Sequence, residues 1–221
     1  MLRQDFVIFQ AETQTGIHVE IGASLLLLGF VMVHLVGGAA AFLYDLAIFL
    51  TIVFSLHLRE MARAWMVQLH GLRLDGVVLS GAGGRTLHAR GTTKQEELIA
   101  ITGPLTSFAL WAGANLILTL LPDGEIAHWL RIFAFINLFI GIFTILPIQP
   151  LDGGRFFYLW LGRVLGHRIA NRLMGGIGLL LSLIWLPACL LAFIIFGMVL
   201  IALPSVQEHW AMLKGDAAIE D

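Results

Sequence analysis

FSLHLREMARAW, residues Phe54 to Trp65, lies inside an apolar run yet carries His57, Arg59, Glu60 and Arg63. Charge placed in hydrocarbon is costly and marks a site by default. On a helix His57 and Met61 stand four residues apart and share a face. An H-E-x-x-H zinc site needs imidazoles at that spacing, with a glutamate directly after the first. Here the window reads His57-Leu58-Arg59-Glu60-Met61, so only the first histidine is present. Glu60 and Arg63 are three apart and are expected to pair across one helical turn.

Working outward, the rest of the chain sets the medium. Of 221 residues 58% are hydrophobic and 13% charged, and mean hydropathy is +0.88. A soluble domain carries about 25% charged residues. The composition therefore predicts an integral membrane protein, read as a single membrane domain over 1–221. The net charge of −2 excludes the basic footprint of a nucleic-acid binder. The single cysteine, Cys189, excludes a disulfide or a C-x-x-C metal pair and reads as a packed helix residue.

Hydropathy divides the chain into an all-α architecture of six spans, at about 21–43, 46–69, 97–121, 126–146, 173–186 and 188–203. Residues 1–20 form an amphipathic or short-strand lead-in. They lack the apolar centre of a cleavable signal, so the first span is expected to remain as an anchor. The first span contains His34, read as a packed residue, with Gly37 and Gly38 allowing close helix approach. Asp45 is placed in a turn between the first two spans. The loop 70–97 alternates and is broken by glycines at 76, 81, 83 and 84, which predicts a small interfacial β element. No Lys-Ser or Lys-Thr follows those glycines, so they form no phosphate loop. A short helix covers Phe156 to Leu165, and Pro187 is expected to split the last apolar block into two spans. The sequence shows no internal repeat, which leaves a transporter architecture without support.

Six spans put both termini and the loops 70–97 and 153–172 on one side. That side holds Arg73, Arg85, Arg90, Lys94, Arg155, Arg163, Arg168 and Arg172, against Arg131 near the other. The positive-inside rule makes the loaded side cytoplasmic.

Five collinear stretches then resemble the site-2 proteases, the intramembrane zinc metalloproteases, over nearly the whole chain. Gly16-Ile17-His18-Val19 matches the lead-in, and His57 falls on the first histidine of H-E-x-x-H. Gly71 to Gly84 is similar to the strand segment after the motif. Ile101-Thr102-Gly103-Pro104-Leu105 is similar to A-G-P-L. Asn137, Gly141 and Pro147-Ile148-Gln149-Pro150-Leu151-Asp152-Gly153-Gly154-Arg155 resemble N-x3-G-x2-N-x2-P-x-x-P-L-D-G-G-R.

The resemblance implies a helical core with a metal between the second and fourth spans. It also implies that two histidines and the L-D-G aspartate hold zinc, a glutamate activates water, and an asparagine stabilises the oxyanion. His57 and Asp152 are retained at ligand positions. Leu58 stands at the general base, Met61 at the second histidine and Thr144 at the oxyanion asparagine. The scaffold residues Gly103, Pro104, Asn137, Pro147, Pro150, Gly153 and Gly154 are kept.

One reading is a pseudoprotease with no cofactor expected. It would bind membrane lipid and the transmembrane helices of a partner or former substrate, alone or as a subunit of a larger complex. The alternative is an active zinc protease with a non-standard site, in which Glu60 joins His57 and Asp152 as a ligand.

Overall fold

The computed structural model describes residues 6–12, 17–33, 38–81, 83–196 and 205–215, with backbone alone at 186 and 188–196. Two compact units emerge where the sequence reads as one membrane domain. The first combines Met1–Arg90 with Leu105–Gly141; the second combines Gly91–Pro104 with Ile142–Asp221.

In the first unit, strands β1 (Val7–Glu12) and β2 (His18–Gly22) precede helices α1 (Ala23–Met32) and α2 (Ala39–Leu69). Strands β3 (Leu74–Ser80) and β4 (Gly83–His88) follow. The strands make one sheet in the order β1-β2-β3-β4. The outer pairs are antiparallel, while β2 and β3 run parallel with Val19, Glu20 and Ile21 opposite Val77, Val78 and Leu79. The β element expected after the second span is thus half of a larger sheet that the N-terminal lead-in completes. Val19, Val77 and Leu79 bury their side chains with Leu25, Phe49, Leu56 and Ala64 of α1 and α2. That gives the sheet one face on a helix-backed core, which two isolated strands would lack.

Helix α2 is 31 residues long and starts after Gly38, whose φ of 86° suits glycine. The predicted first span, 21–43, is therefore corrected: it contains the ten-residue α1 and the first turns of α2. Asp45 lies within α2 rather than in a turn. The helix ends in a Schellman motif. Gly71, at φ 68°, donates to Gln68 O, and Leu72 N donates to Val67 O. His34, Gly16 and Gly37 fall outside the described residues, as does the Cys189 side chain.

Helices α3 (Thr93–Leu118) and α4 (Glu125–Thr144) each begin in one unit and end in the other. Among the described residues α2, α3 and α4 are long and apolar enough to cross a membrane. Large apolar side chains such as Leu43 and Phe54 on α2, Leu116 on α3 and Phe135 on α4 are more than half exposed. A surface of that kind suits lipid contact rather than water.

The second unit adds α5 (Asp152–Leu165), α6 (His167–Phe196) and α7 (Val206–Lys214). Helix α5 starts four residues earlier than predicted, at Asp152. Helix α6 runs unbroken through Pro187, which corrects the expected division of the last apolar block at that residue. A proline removes one ladder bond, and an apolar helix tolerates that loss where neighbouring groups compensate.

Candidate functional site

The residues of the polar stretch of α2 meet different surroundings. His57 is half-buried and borders a cleft of about 330 Å³ in the first unit. Its other walls are apolar: Phe9, Ile21 and Leu79 from β1, β2 and β3, with Val53 and Phe54 from α2. Leu58, the next residue, is half-buried. Met61, one turn on, packs against the apolar core.

Glu60, three residues after His57, is fully buried. Its Oε2 accepts a hydrogen bond from Thr86 Oγ1 of β4 at 2.9 Å and lies 3.2 Å from Arg63 Nη1. Arg59 Nε is 3.9 Å from Oε1. The i,i+3 pair expected from the sequence is present, and it ties α2 to the sheet. Gly84 makes room for it: a Cβ there would sit 2.7 Å from Glu60 Cδ.

Asn137 of α4 joins α2 through its amide. Nδ2 donates to Ser55 Oγ at 3.0 Å and to Phe133 O at 2.9 Å, and the residue is fully buried. Among the described residues its Oδ1 meets no hydrogen-bond donor. Ser55→Ala is expected to cost about 1–3 kcal/mol, because it strands a buried donor. Asn137→Leu removes the amide together with its unsatisfied oxygen and should cost less than Ser55→Ala. Chemical unfolding in detergent, followed by circular dichroism, ranks the two. Gly141 brings α4 close to α3, where a Cβ would meet Phe108 at 3.0 Å.

In the second unit α4 ends at Thr144, which is buried. Residues 145–151 form the irregular connection to α5. Ile148 N donates to Leu146 O and Leu151 N donates to Ile148 O, both at 2.8 Å. Asp152 is the first residue of α5 and half-buried. Gly153 and Gly154 are buried against the preceding backbone, where added Cβ atoms would come within 2.6 Å of Leu146 O and 2.8 Å of Gln149 N. Two buried carboxylates at the start of α3 hold α5: Glu96 takes Arg155 at 2.7 Å and Glu97 takes Arg163 at 2.9 Å. Pro104 lies fully buried inside α3 beside Gly103.

The structure thus places His57, Leu58, Glu60 and Met61 on α2, Asn137 and Thr144 on α4, and Asp152 at the head of α5. Among the described residues no group of three His, Cys, Asp or Glu side chains converges as a metal site would require. Sequence reasoning passed over Thr86, Glu96, Glu97 and His209, all of them buried polar residues. For His209 a signal exists in Ser205-Val206-Gln207-Glu208, the pattern of a capping box that starts a helix.

A four-stranded sheet on a long apolar helix, followed by further apolar helices, is the fold of a site-2 protease. The solved site-2 protease from Methanocaldococcus jannaschii has it, matching with a TM-score of 0.68 and 21% identity over 96% of this chain and 97% of that one. In sequence the chain is 28% identical over 141 residues to a zinc metalloprotease of the same organism. It is 35% identical over 136 residues to a putative zinc metalloprotease of Mycobacterium tuberculosis. To stage IV sporulation protein FB of Bacillus subtilis it is 30% identical over 125 residues. These matches take in 63%, 56% and 52% of this chain but only 41%, 32% and 41% of the relatives. No family model matches the chain. The chain is a site-2-protease-like membrane protein.

Proposed function

We propose that this protein has lost hydrolysis and holds a transmembrane segment of a partner protein, alone or within a larger membrane assembly. The observation that carries this reading is the α2 window, with Leu58 beside His57 and Met61 one turn on. A leucine takes no proton from water, and general-base help is worth roughly 10²–10⁴-fold. A threonine at 144 in place of the oxyanion asparagine forfeits up to about 10²–10³-fold more.

The donor chemistry of α2 points the same way. Zinc sites use imidazole, thiolate or carboxylate, and a thioether suits copper(I) better. Glu60, the nearest carboxylate, is already engaged by Thr86 and Arg63. These residues do not fit the zinc of an H-E-x-x-H site.

What remains is suited to binding. Strand β1 is exposed on every residue and forms one edge of the sheet. An extended segment can add to such an edge through main-chain hydrogen bonds while an apolar side chain enters the adjoining cleft. The membrane helices supply further packing surface. In this reading the arginine-bearing loops after α2 and α4 share the cytoplasmic side.

Purification without chelators, followed by elemental analysis and incubation with transmembrane peptides, tests the proposal. The expected result is substoichiometric zinc and intact peptides. A Leu58→Glu/Met61→His/Thr144→Asn variant should bind more zinc than the natural chain. Stoichiometric zinc together with peptide cleavage by the natural chain would overturn it.

A further inference from the structure

The C-terminal helix of the second unit has a defined task. Helix α7 is only nine residues long, yet both its ends are closed. Ser205 Oγ accepts from Glu208 N at the start, and Gly215 takes a left-handed conformation with φ 82° at the end. Its His209 is completely buried. The ring reaches the corner that precedes Asp152. Gln149 N donates to His209 Nε2 at 3.1 Å. Since Nε2 accepts there, the ring proton is on Nδ1, which donates to Ser205 O at 2.7 Å. Ser205 N in turn donates to Gln149 O at 3.4 Å. Gln149 is therefore held through both its amide and its carbonyl by the first turn of α7.

Helix α6 is cut to fit this arrangement. At Gly178 a Cβ would sit 2.5 Å from His209 Cγ, and at Gly175 it would sit 2.7 Å from His209 O. Two glycines one turn apart thus form a notch that only a side-chain-free surface provides. The sequence between Pro147 and Pro150 has few amides to spare, because neither proline carries an N–H. Ile148 N and Leu151 N are used within the corner itself. Gln149 is left to fasten the corner to something else, and His209 is what it meets.

We propose that His209 is a positioning residue that sets the Pro147–Asp152 corner. The chain's last described helix then fixes where α5 begins and where the Asp152 carboxylate is carried. The inference goes beyond the loss of hydrolysis and holds whether or not the protein cuts a substrate.

Site-resolved hydrogen exchange on the full chain in micelles provides the test. His209→Leu keeps an apolar filler and removes the acceptor, so exchange at the Gln149 amide should accelerate about tenfold or more. His209→Gln places a carbonyl oxygen near the Nε2 position and should restore protection to within about threefold of the natural chain. Gly178→Ala leaves His209 in the sequence but displaces its ring, and should accelerate Gln149 as His209→Leu does. Unchanged protection of Gln149 in His209→Leu would overturn the proposal. So would equal acceleration in the Leu and Gln variants accompanied by faster exchange throughout α6, since that is general loosening rather than the loss of one acceptor.

Discussion

Glu60→Ala is expected to destabilise the protein by about 3–5 kcal/mol, among the largest effects of any single side-chain truncation in the first unit. The size follows from burial. Glu60 has no exposed surface, and its neighbours Arg59 and Arg63 are 5% and 7% exposed. Removing the carboxylate takes its negative charge away from two buried guanidinium groups, and Thr86 loses the oxygen it donates to. The contrast is with Arg73 and Asp75, at 2.7 Å with side chains 82% and 41% exposed. That pair is shorter, but water screens it, and its removal should cost no more than about 1 kcal/mol.

Three controls separate charge from packing. Glu60→Gln keeps an acceptor for Thr86 and should fall between the natural chain and Glu60→Ala. Thr86→Val removes one hydrogen bond and should cost about 1–3 kcal/mol, because Glu60 keeps Arg63. The double change Glu60→Leu/Arg63→Leu should recover part of the Glu60→Ala loss, since buried pairs replaced by apolar residues are often nearly neutral. Equilibrium unfolding by a denaturing detergent, read by circular dichroism, gives the ranking. Equal stability of Glu60→Ala and the natural chain would remove the buried pair as a structural element and release Glu60 for another role.

This cluster also marks how far the sequence could be read. Glu60 and Arg63 lie one turn apart, so their pairing is local and visible in the spacing. Thr86 is distant in the chain and becomes a partner only because β4 returns to α2. The same distinction runs through the fold. Strands β3 and β4 are signalled by alternation between glycine turns. Their union with β1 and β2 depends on a parallel pairing between residues 19–21 and 77–79, and no periodicity encodes that partnership.

Hydropathy averaged residues 21–43 into one span because it registers apolar content and not backbone breaks. In the sequence the glycine pair at 37 and 38 suggests a helix-packing surface, whereas Gly38 precedes the start of α2 with a positive φ. Asp45 reads as a turn residue in isolation, but it lies inside the long α2, where apolar neighbours on both sides continue the helix. On the site, residue identity was fully legible: Leu58, Met61 and Thr144 are what they are in any fold. What required coordinates was the commitment of Glu60, which spacing alone left divided between a ligand and an ion pair.

The second large effect is expected at Gly153. In Gly153→Ala the new methyl group would press on the backbone of Ile145 and lie 2.6 Å from Leu146 O. Cβ atoms do not approach so closely, and the obstacle is main chain at the end of α4 rather than a side chain that could turn aside. The first turn of α5 would have to move away as a body. That motion opposes the bonds Ile148 makes to Leu146 and Leu151 to Ile148. It also strains the Arg155–Glu96 and Arg163–Glu97 pairs that hold α5, whose carboxylates are 6% and 7% exposed and costly to leave unpaired.

An overpacked core position costs about 1–3 kcal/mol when neighbours can relax. Here they are backbone fixed at several points, so Gly153→Ala should exceed about 3 kcal/mol. Gly166→Ala makes the informative comparison. Its φ of 84° strains any side chain, but a Cβ there meets no atom within 4 Å. Its cost is therefore conformational alone, about 1–2 kcal/mol. If unfolding measurements place Gly166→Ala at or above Gly153→Ala, close packing at the Asp-Gly-Gly corner is not what its first glycine provides. The reverse order would explain the two glycines in physical terms, by the close approach of α5 to the backbone before it. The glycines answer to the packing of α5 on the backbone of residues 145–149.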